Sequence, residues 1–152
     1  MHDPIDTGFL QGLIGYNARR ASLAAIELFH ESMAAFGLKP VEFSVLSVIA
    51  HNAGITSRQL CAALGIRPPN LVGLINQLEK RELLVRKPHP SDGRAMGLHL
   101  TASGRKLARD AERTLQDTEQ RVTQALSPGE VRQLIRLLQK VYQSPRTATS
   151  GE

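Results

Sequence analysis

A single cysteine, Cys61, leaves no partner for an internal disulfide, so no disulfide framework replaces a core and a reducing compartment fits. Tryptophan is absent and aromatics make up only 4%, so the core must be aliphatic, which suits packed helices. No run approaches the roughly 18 apolar residues that a membrane span needs. The stretch MHDPIDTGFLQ has no basic region leading into an apolar run, so no secretory signal is expected, and the expectation is a cytoplasmic protein without a membrane partner. Catalytic signatures are also missing: there is no Ser/His/Asp or Cys/His arrangement and no Gly-rich phosphate loop. His2, His30, His51, His89 and His99 show no close ligand spacing, so no metal or other cofactor is expected, and an enzyme is the least supported class.

What is present is enough for one compact domain of 152 residues. Apolar residues reach 41%, which excludes disorder by composition. The net charge of +5 is unevenly placed. Residues 55–106 hold nine Lys/Arg against three acids, a net of +6, whereas the remainder holds ten against eleven, a net of −1. A basic block on a near-neutral body is the footprint of a nucleic-acid binder, although charge alone fits a solvated basic surface equally well.

Apolar residues at helical spacing predict a long first helix from about Phe9 to Phe36, stopped by Gly37. A second runs from Pro40 to His51. A third, from Ser57 to about Leu64, opens on Thr56 with Gln59 three residues on, a capping box. Pro68 opens a fourth, running to about Arg81. Two short helices joined by a tight Gly-containing turn outline a helix-turn-helix. The period then changes from 3.6 to 2: Leu83 and Val85, then Met96, Leu98 and Leu100, flank the turn-rich KPHPSDGRA, which predicts two strands and a turn. Helix returns from about Ala102 to Leu126, and Ser127-Pro128-Gly129-Glu130 starts the last one. The tail after Ser144 is polar and expected to fray.

The expected fold is therefore mostly α, an α+β winged helix of six helices with a two-stranded β-wing, forming one domain over residues 1–152. The winged helix-turn-helix spans about 40–101. The flanking helices, about 8–37 and 102–144, carry more apolar positions than a winged helix covers, which predicts a dimerisation region that packs against a second copy.

The order of elements resembles the MarR (multiple antibiotic resistance regulator) family of transcription regulators, over nearly the whole chain. TSRQLCAALGI is similar to the family's third helix, and PPNLVGLINQLEKRELLVRK to its recognition helix and first wing strand. SDGRA stands where the family has Asp-x-Arg, and LHLTASG is similar to its Leu-Thr-x-x-Gly. One departure is Glu82, where the family often has Gly after the helix. The resemblance implies a homodimeric repressor on a pseudo-palindromic operator in double-stranded DNA, two half-sites about one helical turn apart.

The family's base-reading positions fall on Pro68, Pro69, Asn70, Gly73 and Asn76. Prolines and glycine offer no side-chain hydrogen bonds, Asn70 suits adenine, and proline rings suit thymine methyls, so sparse readout biased to A·T is expected. Arg94, at the expected wing tip, suits the narrow minor groove of A·T-rich DNA, and the family pattern implies that Asp92 pairs with it. Thr56, Ser57, Arg58, Arg67, Arg86 and Lys87 are candidates for phosphate contact.

The resemblance further implies a small aromatic or anionic effector that releases the DNA. Tyr16 and Arg20, one turn apart, with His30, Phe43 and His51, are the candidate pocket residues, although aromatics on helices are more often core. Cys61 reads as a small buried hydrophobe; a redox switch would need an activated thiolate, and no second cysteine is present to resolve it. An effector-independent DNA-binding protein remains the alternative.

Overall fold

The computed structural model describes residues 5–144; His2 and the polar tail beyond Ser144 lie outside the described residues. Seven helices and three strands follow in the order α1 (Gly8–Gln11), α2 (Ile14–Met33), α3 (Pro40–His51), β1 (Ile55–Thr56), α4 (Ser57–Leu64), α5 (Pro68–Lys80), β2 (Leu84–Pro88), β3 (Met96–Leu100), α6 (Ala102–Val122) and α7 (Pro128–Gln143). A 3₁₀ turn, Ala34–Phe36, closes α2 and ends on Gly37, whose left-handed φ of 60° suits glycine.

The expected first helix is two pieces. Leu13 turns extended, with φ −98° and ψ 132°. The Asn17 side-chain amide then donates to the carbonyls of Gln11 and Leu13, 2.8 Å each, satisfying groups that the break exposes.

The sheet is antiparallel in the order β1-β3-β2. Its third strand was not expected. Ile55 pairs with Leu98 and Thr56 with Gly97. Gly97 permits this because a Cβ there would stand 2.9 Å from the Gly54 carbonyl oxygen. Between β2 and β3 the register runs from Leu84↔Leu100 to Pro88↔Met96, giving the expected wing.

One aliphatic core joins the elements: Val45, Leu46 and Ile49 of α3, Leu60 of α4, Leu71, Ile75 and Leu78 of α5, and Leu84, Leu98 and Leu100 of the sheet. Burying each large aliphatic side chain contributes about 1.5–3 kcal/mol. Met33 of α2 and Ala108 and Ala111 of α6 extend this core toward the flanking helices. Glu42, buried beneath the α3 N-terminus, accepts from the Lys39 backbone N–H at 2.9 Å and faces Arg81 at 3.6 Å, tying α3 to the end of α5.

The end of α5 is closed by a Schellman motif: the Leu83 N–H donates to the Leu78 carbonyl at 3.0 Å and the Glu82 N–H to Glu79 at 2.8 Å. Glu82 therefore holds a left-handed φ of 57°, the one non-glycine residue to do so among those described. The Glu82 carbonyl accepts from the hydroxyls of Thr101 (2.7 Å) and Ser103 (3.0 Å), and the Leu83 carbonyl from the Thr101 N–H at 3.1 Å. Thr101 also caps α6 through the Gly104 N–H at 3.0 Å. A Cβ on Gly104 would lie 1.9 Å from the Leu83 carbonyl oxygen.

Helix α7 starts on a formed capping box, Ser127 with Glu130. Hydrogen bonds from the Ser127 backbone and hydroxyl hold the Glu130 carboxyl below the usual glutamate range. Because that shift is downward, the cap's contribution is present above the ordinary glutamate pKa and is lost as pH falls through the lowered value.

Two substitutions at the α5–α6 junction should move stability in opposite directions in urea unfolding. Gly104→Ala should cost about 3 kcal/mol or more, because backbone must yield to the new methyl. Glu82→Gly should add about 0.5–1 kcal/mol by relieving the left-handed residue. Equal midpoints for either variant and the wild type would contradict this packing.

Candidate nucleic-acid interface

Helices α4 and α5 and the β2–β3 wing place the sequence-derived contact residues on the surface. The Thr56–Gln59 capping box forms in both directions, Gln59 N–H to Thr56 Oγ1 at 3.3 Å and Thr56 N–H to Gln59 Oε1 at 3.0 Å. Ser57 and Arg58, in the first turn of α4, are exposed. Arg67 occupies the N-cap position of α5 without a side-chain cap bond, and Pro68 and Pro69 occupy the first turn. With Leu71, Ile75 and Leu78 buried, the opposite face shows Asn70, Gly73 and Asn76 to solvent.

Gly73 has no reason within the fold to be glycine. A Cβ there would meet nothing within 4 Å, yet glycine inside a helix costs about 0.5–1 kcal/mol relative to alanine. Glycine there leaves the α5 backbone open to solvent. Between Asn70 and Gly73 stands Val72, 54% exposed, which sequence reasoning missed. Its signal was available: it falls off the Leu71–Ile75–Leu78 stripe, and an apolar side chain there suits a thymine methyl. Lys39 and Gln77 were missed as well; with Arg67, Asn70 and Gly73 they line an open groove of about 670 Å³ along α5.

Asn76 and Arg86 are brought together. The Arg86 guanidinium donates to Asn76 Oδ1 at 2.7 Å and pairs with Glu79 at 3.1 Å, fastening the wing strand to the recognition helix. Lys87 is exposed on the same strand. At the wing tip Arg94 is exposed. The implied side-chain pairing of Asp92 with Arg94 is corrected: Asp92 Oδ1 accepts from the Arg94 backbone N–H at 3.1 Å. The two-residue spacing brings the carboxylate to the amide, as in an Asx turn, so it shapes the tip and leaves the guanidinium outward.

The five effector-pocket candidates do not converge. Phe43 and His51 line an open groove of about 360 Å³ between α3 and α6, with Ser47, Glu112 and Glu119. Glu112 accepts from the Ser47 hydroxyl at 2.7 Å and meets His51 Nε2 at 3.0 Å. Glu112 was not singled out, because a glutamate on a polar helix carries no distinguishing pattern. Tyr16, half-buried, and Arg20 and His30, both exposed, lie on α2 outside this groove. Cys61 is half-buried against the core. No group of three or more metal-ligating side chains occurs among the described residues.

The flanking helices leave an apolar face open. Helix α7 buries no residue, while Leu134, Ile135, Leu138, Val141 and Tyr142 along it are 44–70% exposed. Phe9 and Ile14, near the N-terminus, are 82% and 71% exposed.

Known proteins share this arrangement. The sequence profile described as MarR family matches residues 36–95. A candidate transcriptional regulatory protein for the hcr operon of Thauera aromatica is 32% identical over 89% of this chain and 82% of its own. The transcriptional repressor CouR bound to a 23-mer DNA duplex superposes with a TM-score of 0.86 at 33% identity, over 92% of this chain and 99% of that one. CouR from Rhodococcus jostii RHA1, bound to p-coumaroyl-CoA, superposes with a TM-score of 0.80 at 29% identity, over 87% and 93%. The profile, the relative and the fold agree with the capped α4, the Pro-opened α5 and the Asp92–Arg94 wing: this chain belongs to the MarR family of DNA-binding transcriptional regulators.

Proposed function

We propose that the protein is a dimeric repressor that reads an A·T-rich, pseudo-palindromic operator and releases it on binding an aryl-CoA thioester. The observation that carries the reading is the exposed α5 face. It offers Asn70 and Val72 to base edges and open backbone at Gly73, while Arg94 projects from the wing toward a minor groove. Ser57, Arg58, Arg67 and Lys87 supply phosphate contacts. Arg86 acts chiefly by holding the wing to α5 through Asn76 and Glu79. The uncovered α7 face, joined by Phe9 and Ile14, supports pairing with a second copy, since a large exposed apolar patch marks an association surface. Footprinting should show two protected half-sites about one helical turn apart; a single protected half-site would refute the dimer. On that site, Arg94→Ala should weaken binding by about 1–3 kcal/mol in a mobility-shift titration, and unchanged affinity would remove Arg94 from the reading head.

Gly73→Ala separates folding from function. It should raise thermal stability by about 0.5–1 kcal/mol while weakening operator binding, because the methyl projects into the space the DNA would occupy. A variant that is more stable and binds equally well would show that nothing approaches α5 there.

The effector class is argued from the CouR complex with p-coumaroyl-CoA and the groove between α3 and α6. Phe43 offers an aromatic face there, and Glu112 an acceptor suited to a phenol hydroxyl rather than to a carboxylate. Arg20 on α2, one turn from Tyr16 and outside that groove, is the cation on offer for an anionic tail. Saturating p-coumaroyl-CoA should raise the melting temperature, by the equivalent of about 2.7 kcal/mol at a hundredfold excess over Kd, and release operator DNA; Phe43→Ala should blunt both effects. If no member of a phenolic acyl-CoA panel shifts the melting temperature, the repressor acts without this class of effector.

A further inference from the structure

His89 and His99 belong to neither the reading face nor the effector groove, yet both line one cleft at the base of the wing. Leu98 and Leu100 of β3 are buried in the core, so alternation turns His99 to the other face of the sheet. There the register sets it opposite Val85 and places Lys87 opposite Gly97, on the diagonal. The His99 ring edge lies over Gly54, with Cε1 3.5 Å and Nε2 3.6 Å from where a Cβ would stand. Gly54 and Gly97 thus let the turn after α3 close against β3 and form one wall.

His89 forms the other wall. Its backbone N–H closes the hairpin on the Ala95 carbonyl at 3.0 Å. Its ring Nδ1 accepts from the Ser91 backbone N–H at 3.3 Å. In the neutral ring this puts the proton on Nε2 and leaves that atom as a donor. The cleft measures about 340 Å³ and is lined by Lys87, His89, His99, the two glycines and flanking prolines. A neighbouring hollow of about 310 Å³ shares Gly54 and His89 and adds Gln59. Neither lining contains a carboxylate.

We propose that this cleft is a phosphate-binding site, in which Lys87 supplies the charge and His89 Nε2 and His99 supply directed donors. One ammonium and two ring N–H groups, one from the wing loop and one from β3, suit the several oxygens of a phosphate better than the two coplanar oxygens of a carboxylate. The phosphate could belong to the DNA backbone beside the wing or to a free phosphorylated ligand, and the experiment distinguishes these sources.

The ring resonances of His89 and His99 in the full-length protein are followed while inorganic pyrophosphate, and separately a random-sequence duplex of about two helical turns, is titrated in. Pyrophosphate should shift both rings saturably. His89→Ala and His99→Ala should each lower its affinity about tenfold, the scale of a hydrogen bond to a charged group. His89→Gln, which keeps an N–H near Nε2, should recover most of the loss. A parallel tenfold loss of duplex affinity, with a salt slope smaller by about one contact, assigns the site to the DNA backbone; unchanged duplex affinity assigns it to a free ligand. If both rings of the wild type stay unmoved by both probes, or if folded alanine variants bind both probes as the wild type does, the site does not exist. The wild-type titration decides even where a variant fails to fold. An absent site would leave the operator footprint and the Arg94→Ala effect intact, so its failure is separable from that of the DNA-reading assignment.

Discussion

Two adjacent carbonyl groups, those of Glu82 and Leu83, tie together the end of the recognition helix, the end of the wing and the start of α6. Thr101 and Ser103 bond the first, and the Thr101 amide and the bare Cα of Gly104 meet the second. The left-handed Glu82 is what turns these carbonyls toward α6. The approach of α6 to the reading head is fixed here by backbone contacts and two short hydroxyl side chains, which leave little slack. The Leu-Thr-x-x-Gly string acquires a physical meaning: the threonine caps one element while fastening another, and the glycine gives the clearance.

A second fastening lies across the head. Arg86 joins β2 to α5 through Asn76 and Glu79, so the wing and the recognition helix present their surfaces as one piece. A third, Glu112 with Ser47 and His51, joins α3 to α6. The proposed effector groove is built around it, so a ligand there would act on the connection between the head and the flanking helices.

Much of this was legible in the sequence where chemistry is local. The capping boxes at Thr56 and Ser127, the Pro68 helix start and the wing turn all formed as the residues imply, because each depends on neighbours within a few positions. The break at Leu13 was hidden because the apolar spacing continues across it and the compensating Asn17 amide leaves no pattern. Strand β1 was hidden because two residues show no period and its partner lies some 40 positions away. Leu83 was assigned to a strand on its alternation, yet it serves as the closing hydrophobe of a helix cap. Val72 was legible, since it falls off the Leu71–Ile75–Leu78 stripe, whereas Glu112 escaped because its partners Ser47 and His51 are set by tertiary packing.

The pairing of basic side chains bears on how ions leave the DNA. Of the nine cations in residues 55–106, Arg81 faces Glu42, Arg86 faces Glu79, Lys106 faces Asp110, and Arg105 is turned back onto the Leu100 carbonyl. Arg58, Arg67, Lys80, Lys87 and Arg94 have no such partner among the described residues. Counterion release scales with the phosphates actually neutralised, at about 0.9 per contact in the logarithmic salt slope. Cations already paired with a carboxylate release fewer ions on meeting a phosphate, so the salt slope of each head should be shallower than nine cations suggest.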